Sequence, residues 1–74
     1  MKKYYTNMLF ELVKRIDNAK EYDYVEYLLE TKNFFMGMHN DFLKHKITMD
    51  DYFMLSRLGT QLLRNREKHI KFIL

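Results

Sequence analysis

The side chains that could perform chemistry are few, and their spacing does not bring them together. Ser56 has no histidine at a helix-neighbour spacing, so no base is placed to activate its hydroxyl group. His39 and His45 are six positions apart, which separates their side chains by about 120° around a helix. Asp41 and His45 share a helix face, but a zinc centre takes three or four ligands. We therefore expect no catalytic residue, no metal site and no cofactor.

Composition excludes several other classes of protein. The chain has 74 residues, enough for one domain over residues 1–74, and 47% of them are apolar, which excludes a disordered polar segment. The absence of cysteine excludes a disulfide scaffold and a thiolate metal site. No apolar run approaches the roughly 18 residues of a membrane span, and we find no signal-peptide pattern. We expect a cytoplasmic protein with no membrane span.

The C-terminal part of the sequence carries the strongest signal for nucleic-acid binding. Phosphate contacts require basic side chains on one exposed face, and base contacts in a groove also use amide side chains. The candidate residues are Arg57, Gln61, Arg64, Asn65, Lys68 and Lys71. The net charge of +3 is low for a dedicated nucleic-acid binder. The alternative is that these basic groups pair with Glu26 and Glu30 inside the fold.

Acids and aromatic rings are mixed over residues 21–27, a pattern that suggests a surface for another protein. Tyrosine is enriched at protein interfaces. The end of the chain, residues 70–74, is too apolar for a loose tail, and we expect it to pack on a second copy or on a partner. The candidate partner-binding residues are Tyr22, Tyr24, Glu26, Tyr27, Ile70, Phe72, Ile73 and Leu74. The alternative places Tyr24 and Tyr27 in the core, with Tyr22 as a partly exposed contact.

Three predicted helices would position these residues. In the first, over about Lys3–Lys20, apolar residues recur at steps of three and four, which is the spacing of one helix face. These residues are Tyr5, Met8, Leu9, Leu12, Val13 and Ile16. Phe10 lies off this stripe.

The second predicted helix has two apolar stripes. Asp23 is a suitable N-cap, and Glu26 follows three residues later, as in a capping box. No Gly or Pro enforces a break near residues 18–23, so one long bent helix is the alternative. One stripe contains Val25, Leu28, Leu29, Phe35, Met36, Phe42 and Leu43, with Lys32 and His39 between them. The other contains Tyr24, Tyr27, Phe34 and Met38. Because a helix that is apolar on two sides usually lies between two neighbours, we predict a central helix that contacts both others.

The third helix has a clear start signal. Thr48 is a suitable N-cap, and Asp50 and Asp51 lie in the first turn, where the helix dipole favours acids. We predict that this helix runs from Met49 toward the C-terminus, and that Gly59 on its apolar face marks a close approach of two helices. Residues 1–20 and 47–74 carry a net positive charge, whereas residues 21–46 carry a net negative charge. This pattern favours an all-α fold, an antiparallel three-helix bundle with a long C-terminal helix.

Residues 42–58 resemble a known helical hairpin. They read Phe-Leu-(x)3-Ile-Thr-x-x-Asp-Tyr-x-x-Leu-x-x-Leu, which is similar to the helix-turn-helix hairpin of short bacterial oligomerisation modules of the SHOCT type. Those modules carry Gly before the Ile, where this sequence has Lys46. The resemblance covers 17 of the 74 residues and implies a hairpin of two helices there.

These observations favour a small non-catalytic module for protein–protein interaction. The composition is rich in Lys, Tyr, Phe and Met and contains a single Ala, which suggests an A/T-rich coding sequence. We therefore expect a phage or mobile-element regulator or inhibitor that binds a host or rival protein. The first alternative is a dimeric nucleic-acid-binding regulator that uses the basic C-terminal helix. The second is a self-associating structural subunit, that is, a homo-oligomer.

Overall fold

The computed structural model describes residues 1–67 and 70–71. In this part of the chain three helices pack around one apolar core. They are α1 (Lys2–Asn18), α2 (Tyr24–Leu43) and α3 (Met49–Arg64). Two short strands, β1 (Tyr22–Asp23) and β2 (Ile70–Lys71), pair in parallel. The all-α class is confirmed, and the strand pair is an addition that helical periodicity does not predict.

The helix starts agree with the capping signals in the sequence. The Asp23 carboxylate accepts a hydrogen bond from the Val25 N–H at 2.7 Å, and the Thr48 hydroxyl oxygen accepts one from the Asp51 N–H at 3.2 Å. Both N-cap predictions are confirmed. Between α1 and α2 the backbone is extended at Ala19, so the two helices are separate and do not form one long bent helix.

Side-chain contacts establish how α1 lies against α2. Tyr5, near the start of α1, donates a hydrogen bond to Asp41, near the end of α2. Arg15, near the end of α1, lies 3.2 Å from Glu30 in the first half of α2. The contacts therefore run in opposite order along the two helices. The Arg15–Glu30 pair joins the net positive segment 1–20 to the net negative segment 21–46.

The core is built from the α1 stripe, the second stripe of α2 and one face of α3. Five of the six predicted α1 positions are buried, and the sixth, Met8, is partly buried. Phe34 has no exposed surface, and its ring packs edge-on against the rings of Tyr5 and Phe35. The buried core residues are Tyr5, Leu9, Leu12, Val13, Ile16, Tyr22, Tyr27, Phe34, Met38, Ile47, Leu55, Leu63 and Ile70.

Gly59 lies buried where α3 crosses α2. A Cβ atom at this position would lie 3.0 Å from Phe34 and 3.2 Å from Phe35. Both distances are shorter than an ordinary van der Waals contact between carbon atoms. The predicted close approach of two helices at Gly59 is confirmed.

The predicted long C-terminal helix is wrong, because α3 ends after 16 residues, at Arg64. Beyond it, the Arg66 guanidinium donates to a carbonyl in the last turn of α3 and to both carboxylate oxygens of Asp17 on α1. Ile70 then lies opposite Tyr22 in the strand pair and is buried. Two interactions favour this ending. The Arg66 guanidinium satisfies the Leu62 carbonyl at the end of the helix, and the strand pair buries Ile70, which a continuing helix would place beyond the core.

Helix α2 ends in a Schellman motif that holds a non-glycine residue in the left-handed region. The Lys46 N–H donates to the Asp41 carbonyl at 2.8 Å, and the His45 N–H donates to the Phe42 carbonyl at 3.0 Å. His45 has φ of 61°. In this conformation a Cβ atom crowds the following carbonyl, a cost that glycine avoids.

Replacing His45 with glycine should raise the free energy of unfolding by about 0.5–1 kcal/mol. Glycine removes the steric cost of the positive φ in the folded chain, and this gain is larger than the stability lost because glycine increases the conformational entropy of the unfolded chain. Urea denaturation of both proteins measures the difference. Lys44→Gly is the matched control: Lys44 has φ of −87°, so glycine gains nothing there and should lower stability. Equal responses at the two positions would contradict this turn geometry.

Candidate binding surface on helix α2

Helix α2 has two apolar faces on opposite sides, and only one of them packs into the core. On the inner face, Phe34 and Met38 have no exposed surface. On the opposite face, Val25 and Leu43 are 62% and 61% exposed. The exposed large apolar side chains of that face are Val25, Leu28, Leu29, Met36 and Leu43. We call these five residues the outer face of α2.

The exposure of the outer face follows from the arrangement of the three helices. Helices α1 and α3 both contact α2 and also contact each other, so they lie together on its inner side. Among the described residues, none covers the other side. The prediction of a helix enclosed between two neighbours is therefore wrong, although α2 does contact both. Phe35 and Phe42, from the same predicted stripe, are partly buried because Phe35 lies against Gly59 and Phe42 stacks on Tyr52.

Two basic residues interrupt the outer face, and in the sequence they distinguish its stripe from the other apolar stripe of α2. Lys32 and His39 occupy positions within its stripe and are exposed. The buried inner positions Tyr27, Phe34 and Met38 include no charged residue. Because burying an unpaired lysine costs free energy, the stripe that contains one is the stripe that faces away from the core.

One flank of the outer face changes charge along its length. Glu26 lies in the first turn of α2, Asn33 and Asn40 follow, and Lys44 is the C-cap. All four residues are exposed, and a rotation of about 100° per residue places them on the same side of the helix. Within residues 1–67 and 70–71, neither Glu26 nor Lys44 makes an ion pair. The outer face is therefore bordered by an acid at one end and a base at the other.

The tyrosines predicted to bind a partner lie mostly inside the fold. Tyr22 is buried and its hydroxyl donates to Glu30 at 2.5 Å. Tyr27 is buried and its hydroxyl lies 3.5 Å from the Leu63 carbonyl. Tyr24 is partly buried. The interpretation that placed Tyr24 and Tyr27 in the core is the one observed, and Tyr22 joins them.

The other predicted partner-binding residues divide into three groups. Glu26 is exposed beside the outer face. Ile70 is buried against its own chain, so the expectation that it packs on a second copy is wrong. Phe72, Ile73 and Leu74 lie outside the described residues.

The acidic partners expected for the basic residues at the C-terminal end do not pair with them in the part of the chain that the structure describes. Glu30 pairs with Arg15, and Arg66 pairs with Asp17 at 2.9 Å, so the pairing of the basic end with Glu26 and Glu30 is not observed among the described residues. The exposed candidates on and after α3 are Arg57, Gln61, Arg64 and Asn65. Lys68 lies outside the described residues, as does the side chain of Lys71.

A groove on the outer side of α3 combines several of these side chains with apolar ones. Arg57 and Gln61 line it together with the exposed Phe53 and Met54 and the carboxylate of Asp50. Leu58 also lines the groove, so three of its six side chains are apolar and one is acidic. The groove therefore does not present the continuous basic surface that phosphate binding requires.

Two buried tyrosine hydroxyls donate to carboxylates and tie α2 to its neighbours. Tyr5 donates to Asp41, and Tyr22 donates to Glu30, which also pairs with Arg15. Burial raises the pKa of both tyrosines above the ordinary value of 10.0, and the hydrogen bond to each carboxylate raises it further. Both phenols therefore stay neutral in the folded chain at pH values where a solvated tyrosine ionises.

The protein should lose stability above about pH 10, in part because of Tyr5 and Tyr22. Since the folded pKa values exceed the unfolded ones, this contribution is complete below the unfolded pKa and disappears as the pH rises through the folded pKa. Tyr5→Phe removes one of the two groups, so its stability should decline less steeply with alkaline pH than that of the wild type. Urea midpoints measured from about pH 8 to 12 test this, and identical slopes for the two proteins would contradict it.

The residues considered for metal chemistry have other partners. Asp41 accepts a hydrogen bond from Tyr5, and Nδ1 of His39 lies 3.0 Å from the Tyr52 hydroxyl. Over residues 1–67 and 70–71, no group of three or more His, Asp or Glu side chains is placed to hold a metal ion. In the same part of the chain, no helix has the length and apolar character needed to cross a membrane.

Comparison with known proteins adds no relative from which a function could be inferred. A scan against protein-family models matched no family, and searches of curated proteins and of solved structures found no match. What the outer face of α2 can do therefore follows from its geometry: five exposed apolar side chains in a row, bordered by opposite charges at the two ends.

Proposed function

We propose that this chain is a small protein–protein interaction module without catalytic activity, and that the outer face of α2 is its binding surface. The observation that carries the proposal is the alignment of five apolar side chains, each 48–62% exposed, on one face of one helix. Monomeric proteins rarely leave contiguous apolar patches of more than a few hundred Å² exposed unless the patch binds something. A helix face of this type is commonly buried against a partner's helix or groove.

The residue types of the outer face suit binding as well as its position does. Leucine and methionine contribute apolar area, and the flexible methionine adapts to the shape of its partner. Lys32 and His39 place basic groups within the apolar row. A partner therefore has to leave these groups at the edge of the contact or meet them with acceptors.

In its concrete form the proposal is a regulator or inhibitor from a phage or mobile element that binds a host or rival protein. Its support is the small size of the chain and a composition typical of A/T-rich coding sequences. We further infer an antiparallel bundle of the three helices, since the contacts of α1 and α2 run in opposite order. Such a bundle would present the outer face as a rigid surface.

Nucleic-acid binding through α3 is the second candidate. Its support is the spacing of Arg57, Gln61 and Arg64, which repeat at four and three residues and are all exposed. Two arginines neutralise few phosphates, and the carboxylate of Asp50 lines the same groove as Arg57. The outer face of α2 therefore has the stronger case.

Affinity capture with matched variants tests the proposal. A tagged full chain is used to capture proteins from a low-GC Gram-positive lysate, with and without nuclease, at low and moderate salt. Leu29→Lys places a charge in the outer face, and Phe10→Lys places the same charge at another exposed apolar site, on α1. Circular dichroism verifies that both variants fold.

A captured protein that survives nuclease, is retained by Phe10→Lys and is lost by Leu29→Lys would support the proposal. Equal capture by the two variants would refute the outer face as the site. Capture that disappears with nuclease or moderate salt would support the nucleic-acid alternative, because binding through phosphates weakens steeply with salt.

A further inference from the structure

The stripe along the outer side of α2 has the same spacing when it is read in either direction. The steps between its positions are four, three, four, three and four residues, and its members are Val25, Leu29, Lys32, Met36, His39 and Leu43. This is the spacing with which two helices pack along a coiled-coil seam. If a second α2 lies antiparallel on the first, each position meets its mirror position: Val25 meets Leu43, Leu29 meets His39, and Lys32 meets Met36.

The charges on the flank of the outer face are complementary in that same orientation. A twofold axis perpendicular to the two helices brings the same flank of both copies together in reversed direction. Glu26 of one copy then lies within two residues, or about 3 Å along the helix axis, of Lys44 of the other, and symmetry makes this contact twice. In a parallel pair related by a twofold axis along the helices, this flank lies on opposite sides of the seam in the two copies, so Glu26 and Lys44 would not meet.

We propose that the occupant of the outer face is a second copy of this chain, with the two α2 helices packed antiparallel about a twofold axis. This inference rests on the proposed interaction module, and it names a second copy, in place of a host or rival protein, as the partner of the same surface. The spacing and the apolar row fit a pair of packed helices, and the charged flank favours the antiparallel orientation. The uncharged Asn33 lies near the middle of the flank, where the two copies meet around the axis.

Lys32 determines how tight this dimer is. It lies near the axis, where its aliphatic part covers Met36 of the second copy and its ammonium group reaches solvent at the edge. A single lysine in a helical seam lowers stability and helps to select one register and one number of subunits. Five half-exposed apolar side chains per copy form a small interface, and we expect a dissociation constant in the micromolar range.

Sedimentation equilibrium of the purified full chain, over a wide concentration range at low salt, tests the proposal. The wild type should show a monomer–dimer equilibrium. Leu29→Lys should weaken the dimer at least about tenfold, because the new charge faces His39 of the second copy in the seam and lies one turn from Lys32 of its own helix. Lys32→Leu should tighten it by about tenfold, because an apolar residue replaces the charge in the seam. Phe10→Lys should leave the dissociation constant unchanged.

Charge exchange on the flank tests the antiparallel orientation. Glu26→Lys and Lys44→Glu should each weaken the dimer several-fold, since each places like charges opposite one another in both symmetric contacts. The double variant restores opposite charges and should return to within about threefold of the wild type. A fully folded double variant shows that the losses in the single variants come from charge and not from unfolding.

Other outcomes would overturn the proposal. A chain that stays monomeric at every concentration, or single charge variants that dimerise like the wild type, would refute the antiparallel dimer. If the chain is monomeric but captures another protein in a manner that Leu29→Lys abolishes, the second copy is refuted and the proposed function stands. If the chain is monomeric and Leu29→Lys changes no capture, both are refuted.

Discussion

Replacing Ile70 with alanine should lower the free energy of unfolding by about 2–4 kcal/mol. Ile70 is buried beside Tyr22 in the strand pair. The hydrogen bond from Tyr22 to Glu30 holds that ring in place, so the ring cannot close the cavity that the lost methyl groups leave. Urea denaturation at a protein concentration too low for self-association measures the change.

Met54→Ala is the control for Ile70→Ala. Met54 lies on α3 and is 42% exposed, so its truncation should change stability by no more than about 0.5 kcal/mol. Similar small losses in both variants would contradict the placement of the C-terminal strand in the core. They would also restore the expectation that the end of the chain is available to a partner.

Gly59→Leu should cost about 2–3 kcal/mol of stability. A Cβ atom alone would lie 3.0 Å from Phe34 and 3.2 Å from Phe35. Phe34 has no exposed surface and is held between the rings of Tyr5 and Phe35, so it has nowhere to move. The larger side chain therefore has to separate α2 from α3, which thermal and urea denaturation would both report.

Gly37→Ala is the matched control, because the two glycines differ in the space around them. A Cβ atom at Gly37 would meet Tyr5 at 3.4 Å, which is an ordinary contact. Alanine should therefore raise stability there by up to about 1 kcal/mol through helix propensity, whereas alanine at Gly59 should lower it. A gain in stability from alanine at both positions would contradict the close crossing of α2 and α3.

The parts of the fold that depend on local signals could be predicted from the sequence. Helix α1 has a single apolar stripe, so the residues that it buries were predicted correctly. Asp23 and Thr48 satisfy backbone N–H groups within three residues of themselves, so their capping roles depend on nothing distant. Gly59 was recognised because glycine on an apolar helix face has no other benefit.

The orientation of α2 and the end of α3 could not be predicted in the same way. Both stripes of α2 are apolar, and the choice between them depends on where two other helices pack; only Lys32 and His39 distinguish them in advance. The turn after α3 depends on Arg66, whose partner Asp17 is 49 positions away in the sequence. Helical periodicity gives no information about such a distant contact, so the helix predicted from it extended beyond the observed end at Arg64.

Because of these two differences, the candidate binding surface in the structure is not the one predicted from the sequence. Tyr22, Tyr27 and Ile70 are buried, so these three residues do not form the partner surface that was expected to include them. On the other side of α2, where the sequence predicted a second neighbouring helix, five large apolar side chains are exposed instead. The number of apolar residues in α2 was thus informative, since it exceeded what one buried face can use, but the choice of buried face required the tertiary structure.

Site-specific photo-crosslinking tests the central claim, that the outer face of α2 is buried against a protein. A photoreactive residue replaces Leu29 in one variant and Phe10 in another, both at exposed apolar sites, and each full chain is irradiated alone and in lysate. We predict crosslinked protein from position 29 and little from position 10, with the mass of two chains if the partner is a second copy. Equal yields from both positions, or a crosslink from position 10 alone, would contradict the claim.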